Sequence, residues 1–131
     1  MAATGYLIDT NAGIDYLGGT IPTKGMAFID QVIDEKYSIS VISRIELYSY
    51  SKLTREDQIT LDIFTVQAAM LNINDDIIEK TIEIRKTYKT KLPDAIIAAT
   101  ALVYKMTLIT RNTKDFDQID QLKLINPYDP E

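Results

Sequence analysis

Compact apolar runs recur along the chain and alternate with longer stretches whose apolar positions repeat every three to four residues. Tyr6-Leu7-Ile8, Tyr37 to Ile42, Ala69 to Ile73, Met106 to Thr110 and Leu122 to Ile125 have the length and content of buried strands. After the first strand, at residues 5–9, Thr10-Asn11-Ala12-Gly13 leads into a brief helical turn closed by Gly18-Gly19. Thr23 to Lys36 carries Met26, Ile29, Val32 and Ile33 at helical spacing. Ser43-Arg-Ile-Glu46 opens a helix to about Ser51, and Thr54-Arg-Glu-Asp57 opens another to about Gln67, both in capping-box form. In the second of these, Ile59, Ile63, Phe64 and Val66 are expected to face inward. Asn74-Asp75-Asp76 caps an amphipathic helix whose Ile77, Ile78, Thr81, Ile82 and Tyr88 share a face. Pro93 fits the first turn of a further helix, and Ala95 to Val103, apolar nearly all round, should be its most buried part. Asp115-Phe116-Asp117 reads as a short turn, and Asn126-Pro127 ends regular structure before an acidic tail.

Strands alternating with helical segments imply an α/β layer fold with a mainly parallel sheet and right-handed crossovers. The 131 residues contain no repeat, low-complexity tract or linker, and 46 % of them are apolar, so one core and a single domain over residues 1–131 are expected. In open parallel sheets, ligands collect beyond the carboxyl ends of the strands. Asp9 ends the first strand, Glu46 follows the second, Asp115 follows the fourth, and Asp94 starts the helix leading into the fourth.

Composition narrows the chemistry available at that rim. Without cysteine there are no disulfides, zinc–thiolate sites or thiol nucleophiles. Without histidine the commonest general base and the commonest ligand for zinc, copper and iron are missing, which leaves carboxylate chemistry with hard ions such as Mg²⁺ or Mn²⁺. A net charge of −5 has the wrong sign for gripping nucleic acid by bulk electrostatics, so any such contact must be local. The opening Met-Ala-Ala-Thr-Gly has neither a basic region nor a long apolar stretch, and no segment approaches the length of a membrane span; a soluble, cytoplasmic protein is expected.

Each acid also has a structural explanation. Asp9 or Asn11 can cap the helix that follows the first strand, and Glu46 fits the third position of a capping box begun by Ser43. Asp94 suits a first helical turn, where a negative charge gains roughly 0.3–1 kcal/mol from the helix dipole. Asp115 sits in a polar loop, and Asp117 is near enough to replace it. Taken together, four carboxylates from distant parts of the chain would repel one another unless a cation neutralised them, which points to a metal-dependent nuclease. Among basic groups, Arg85, Lys86, Lys89 and Lys91 form a run just before Asp94, and Arg111 and Lys114 flank the late acids; these are candidate phosphate contacts or solvated helix ends. Tyr16, Tyr48 and Tyr50 could stack on bases, and for the last two an interface is the preferred reading.

Four segments, Tyr-Leu-Ile-Asp9-Thr-Asn11, Ser-Val-Ile-Ser-Arg-Ile-Glu46-Leu, Leu-Pro-Asp94-Ala-Ile-Ile-Ala-Ala-Thr-Ala and Thr-Leu-Ile-Thr110-Arg-Asn112-Thr-Lys-Asp115-Phe, resemble in order those of the PIN-domain ribonucleases, and within them the VapC-type toxins of toxin–antitoxin pairs. The resemblance spans nearly the whole chain. It implies a three-layer PIN-like fold with four to five central strands, and a Mg²⁺ or Mn²⁺ site of Asp9, Glu46, Asp94 and Asp115 supported by Asn11, Thr110 and Asn112. Family members differ in whether the Asn112 or the Asp115 position supplies the late carboxylate. The resemblance further implies endonucleolytic cleavage of RNA, homodimerisation, and inhibition by a cognate antitoxin. The competing expectation is a catalytically silent PIN-like binding module. An aspartyl phosphotransfer domain is disfavoured by Asp-Thr-Asn in place of Asp-x-Asp, and Gly18-Gly-Thr-Ile-Pro-Thr-Lys-Gly lacks the spacing of a phosphate-binding loop.

Overall fold

The structure, a computed structural model, describes residues 5–50 and 52–130. The N-terminal Met1 to Thr4, the Ser51 end of the third expected helix and Glu131 of the acidic tail lie outside the described residues. In chain order the elements are β1 (Tyr6–Ile8), α1 (Thr10–Gly18), α2 (Thr23–Glu35), β2 (Ser38–Ser40), α3 (Val41–Tyr48), α4 (Arg55–Gln67), β3 (Ala69–Leu71), α5 (Asp75–Thr87), α6 (Leu92–Val103), β4 (Thr107–Ile109), a 3₁₀ turn (Thr113–Asp115) and β5 (Leu124–Ile125).

The strands form one sheet in the order β3-β2-β1-β4-β5, and every pairing is parallel. Because side chains alternate along a strand, Leu7 and Leu108 point into one apolar layer, with Ile77 and Ile84 of α5 and the alanines of α6. Their neighbours Ile8 and Ile109 point into the other, with Ala12, Ile29, Leu47, Leu61 and Phe64. The result is the expected three-layer α/β arrangement. The chain winds outward from β1 to β3, then returns to lay β4 and β5 on the other side of β1, so its direction reverses between β1 and β4. That reversal opens a crevice at the carboxyl ends of those two strands.

Local chemistry explains the helix starts. Asn74 accepts the Ile77 N–H, Thr54 and Asp57 form the reciprocal capping box, and Pro93 lies in the first turn of α6, where no N–H is needed. Gly19 closes α1 at φ 70°, and Gly25 of α2 lies so close to the Pro127 carbonyl that a Cβ there would fall 1.6 Å from its oxygen. As expected, α6 is deeply buried, at Ala95 and from Ile97 through Ala101.

Three expectations need correction. The second strand stops at Ser40, whose hydroxyl accepts the Ile42 N–H and caps α3, so Ser43 is buried within the helix and Glu46 lies near its end. The apolar run through Ile42 suits a strand or the start of a buried helix equally well, and the cap decides between them. In α4 only Leu61 and Phe64 face the core, whereas Ile59, Ile63 and Val66 are 51 %, 55 % and 83 % exposed. Two apolar stripes compete there; Phe64 wins by stacking on Tyr37 at 5.2 Å and packing over Gly13. In α5 the expected shared face splits, with Ile77, Thr81 and Ile84 buried and Ile78 and Ile82 nearly half exposed. Among the described residues no helix is long and apolar enough to cross a membrane.

Candidate functional site

The crevice between β1 and β4 is centred on Asp9. Its carboxylate is 4 % exposed and is held by Thr110 Oγ1 at 2.8 Å, Asn11 Nδ2 at 3.0 Å and the Thr10 N–H at 2.8 Å. Thr110 follows β4 as Asp9 follows β1, and the parallel pairing of these strands brings the two residues together. The Thr110 hydroxyl also accepts from the Asn112 N–H at 3.1 Å, and Asn11 Oδ1 accepts from the Arg111 N–H at 2.9 Å. Asn11 and Thr110 therefore both hydrogen-bond to the Asp9 carboxylate, while Asn112 reaches this network through its backbone N–H. Burial pushes the Asp9 pKa up from 3.8 to about 6; the hydrogen bonds from Thr110 and Thr10 oppose the rise, and the charges of Asp94 and Glu46 add to it. Asp9 also caps α1, so the structural and chemical readings of this residue coexist.

Glu46 reaches the same rim from α3. Its Oε1 accepts from the Thr10 hydroxyl at 2.6 Å, and that hydroxyl also meets Ser43 Oγ at 2.9 Å. Asp94 stands in the first turn of α6, and burial, then the charges of Asp115 and Glu46, raise its pKa while Lys91 lowers it. Asp94 and Asp115 line one cleft of about 220 Å³ with Lys89, Thr90, Lys91, Lys114 and Gln118. Asp94 thus links the acids electrostatically: Asp9, Glu46 and Asp94 act on one another's surroundings, and Asp115 joins them through Asp94. Among the described residues, however, no three acids already stand close enough to hold one ion, so the group is assembled but not closed. An all-oxygen, anionic donor set of this kind fits a hard divalent cation. Asp9, Glu46, Asp94 and Asp115 are the residues that could hold it.

The basic candidates divide. Lys89, Lys91 and Lys114 share the cleft with the acids, whereas Lys86 lies in the last turn of α5 outside that lining. Arg85 Nη1 donates to the Thr90 carbonyl at 2.6 Å, and Arg111 is ion-paired with Asp15 at 2.9 Å. Tyr48 donates to Asp62 at 2.5 Å and so ties α3 to α4, while Tyr50 is 57 % exposed beside an apolar groove of about 390 Å³ that includes Ile14, Leu17, Leu47 and Leu53. Sequence reasoning gave no role to Thr10 or Asp15 and read Ser43 only as a helix cap. For Thr10 the signal was present, because a hydroxyl between Asp9 and Asn11 in a strand-to-helix turn faces the same rim; Ser43 and Asp15 look like ordinary helix residues until folded.

The PIN domain family matches residues 6–122, which is most of the chain. This chain belongs to the PIN-domain family. Similar solved structures include a toxin–antitoxin complex from Klebsiella pneumoniae, 34 % identical over 95 % of this chain and 99 % of that one, with a TM-score of 0.77. VapBC2 from Rickettsia felis bound to a promoter DNA fragment is 25 % identical, covers 92 % and 97 %, and has a TM-score of 0.79. VapBC-1 from nontypeable Haemophilus influenzae is 24 % identical, covers 93 % and 97 %, and at a TM-score of 0.76 supports the PIN fold alone. The resemblance to VapC-type PIN proteins drawn from the sequence is borne out. No curated protein sequence gives a significant match.

Proposed function

We propose that this PIN-domain protein is a Mg²⁺- or Mn²⁺-dependent endoribonuclease and the toxin of a VapBC-type pair, acting in the cytoplasm. One observation carries the reading: near the switch point of the sheet the charge of Asp9 is felt with those of Asp94 and Glu46, and that of Asp94 with Asp115, and burial together with this repulsion holds Asp9 and Asp94 above the usual carboxylate range. PIN domains are in general nucleases, and a deficit of positive charge at a rim of acids is what a cation would correct. When bound, the ion would supply an acidified water and positive charge against the phosphodiester. Asp9, Glu46, Asp94 and Asp115 would hold it. Thr110, Asn11 and the Thr10 N–H fix the direction of the Asp9 carboxylate, and the Thr10 hydroxyl fixes that of Glu46. Lys89, Lys91 and Lys114 would draw the RNA backbone into the adjoining cleft, a local attraction that a chain of net charge −5 requires. The test is cleavage of RNA by purified protein with Mg²⁺ or Mn²⁺, beside Asp9→Asn and Asp94→Asn variants of matched folding. Equal activity in the variants rejects the proposal.

The similar structures include toxin–antitoxin and VapBC assemblies, and a cognate antitoxin and a second copy of the chain are the partners this reading carries. The exposed Ile45, Ile59, Ile63 and Val66 provide apolar surface for such contacts. That same surface favours the second reading, a silent binding module, and Mn²⁺ titration separates the two. A nuclease site is stabilised against unfolding by Mn²⁺, and the stabilisation disappears in Asp9→Asn; a silent module shows neither effect.

A further inference from the structure

Asp15 is the one acid on α1 that is buried and stands apart from the carboxylate cluster, with 7 % of its surface exposed. A buried carboxylate needs a charged or hydrogen-bonding partner. Asp15 has Arg111, whose Nη1 donates to Oδ1 at 3.1 Å and to Oδ2 at 2.9 Å. Arg111 directly follows Thr110, and its own N–H donates to Asn11 Oδ1 at 2.9 Å. The other end of that side-chain amide, Asn11 Nδ2, donates to Asp9 Oδ2 at 3.0 Å. The contacts run without a break from Asp15 through Arg111 and Asn11 to Asp9.

The polarity of this chain permits one arrangement. If the Asn11 amide were reversed, its NH₂ would face the Arg111 N–H, donor against donor, and its oxygen would face the Asp9 carboxylate, acceptor against acceptor. Asn11 is therefore held at both ends of its amide, and the hold on its oxygen lasts while the Arg111 backbone stays against α1. The side chain of Arg111 is what ties it there, because Asp15 lies on α1 itself, four residues beyond Asn11 and hence on the same helical face. The segment after β4 is otherwise joined to this corner by the Thr110 contacts and by a long bond of 3.5 Å from Asn126 Nδ2 to the Arg111 carbonyl.

We propose that the Asp15–Arg111 ion pair is a positioning clamp: it fastens the loop after β4 to α1, orients the Asn11 amide, and through it aims the Asp9 carboxylate. The clamp deepens the nuclease reading and rests on it for its catalytic consequence. It also reassigns Arg111, which the sequence groups with the phosphate-binding residues.

Asp15→Asn distinguishes the two roles because it keeps the shape of the side chain while releasing the guanidinium. For a clamp, Asp15→Asn and Arg111→Gln each lower kcat for RNA cleavage about 10- to 100-fold with KM little changed. The double variant is then no worse than either single one, and Arg111→Lys recovers part of the loss. For a phosphate contact, Arg111→Gln raises KM, and Asp15→Asn leaves KM unchanged or lowers it; that pattern overturns the proposal. A second measurement needs neither metal nor activity: hydrogen exchange of the Asn11 side-chain NH₂, followed by NMR in the folded, metal-free protein. Faster exchange in Asp15→Asn and Arg111→Gln, but not in Lys114→Gln, supports the clamp, and unchanged exchange overturns it. Should the wild-type protein cleave no RNA, the nuclease reading falls while this exchange measurement still decides whether the clamp exists.

Discussion

The two halves of the acidic site are built differently. Asp9 rises from the middle of the sheet, almost fully buried, with three hydrogen bonds that fix its direction. Asp94 and Asp115 come from a helix start and a 3₁₀ turn, line an open cleft, and have lysines beside them. The first half spends folding energy on geometry, since burying Asp9 opposes its charge. The second half leaves Asp94 half-buried and Asp115 exposed, with cationic neighbours, which favours access. A site that must both hold a cation and admit a polyanion needs one region of each kind: rigid direction where the ligand is fixed, open mixed charge where the substrate enters.

Removing the Asp9 charge should break this contrast most severely. Asp9→Asn is expected to lower metal-dependent RNA cleavage by more than about 100-fold, beyond the loss typical of an outer-shell change, whereas Asp115→Asn should cost less; steady-state rates at saturating Mn²⁺ compare them. The same variant should alter stability in the opposite direction. Asp9 ionises near pH 6 in the folded chain against 3.8 for an unperturbed carboxyl, so between those values the native state binds more protons than the unfolded one. Its contribution is most favourable below pH 3.8 and is lost as the pH rises to about 6, leaving a penalty of about 3 kcal/mol at neutral pH. Urea unfolding in EDTA should therefore find Asp9→Asn more stable than wild type at pH 7, with the difference shrinking toward pH 4. An advantage for wild type at pH 7 would mean that burial is not the dominant influence on this group.

Thr110→Val tests the geometric half without touching a charge. The hydroxyl that donates to Asp9 at 2.8 Å is lost while side-chain volume is nearly kept, and activity should fall about 10- to 100-fold, with more Mn²⁺ needed to saturate. Thr110→Ser, which retains the hydroxyl, should recover much of that loss. The Asp9 half was also the more legible in the sequence. An acid ending an apolar strand and a hydroxyl ending its parallel partner converge by strand pairing alone, which sets Asp9 beside Thr110, whereas Asn11 and Thr110 as supporting groups came from the family resemblance. Glu46 was expected in the opening turn of a helix, with a Ser43 capping box as its competing structural explanation; that box does not form, and the residue reaches the rim from near the end of a helix capped by Ser40. What stayed hidden depends on contacts between elements. Nothing local distinguishes Leu61 and Phe64 from the exposed Ile59, Ile63 and Val66 of the same helix, because the choice of face is made by Tyr37 and Gly13 across the core. Nor does Arg111 announce that Asp15, 96 positions away, will take its charge.

The smallest effects belong to the open half, and their form matters more than their size. Lys91 and Lys114 line the cleft with Asp94 and Asp115, and Lys91 counteracts the rise in the Asp94 pKa. If these lysines act by attracting phosphate, Lys114→Gln should raise KM for RNA a few-fold with little change in kcat and lower the salt dependence of binding by about one counterion. Lys91→Gln should do the same and also shift the acid limb of the pH–rate profile upward, because Asp94 loses a cation that favours its ionised form. Rates measured from pH 5 to 8 at two salt concentrations separate these outcomes. A fall in kcat for Lys114→Gln equal to that for Thr110→Val would erase the distinction between the halves, since the cleft would then be fixing geometry as strictly as the sheet does.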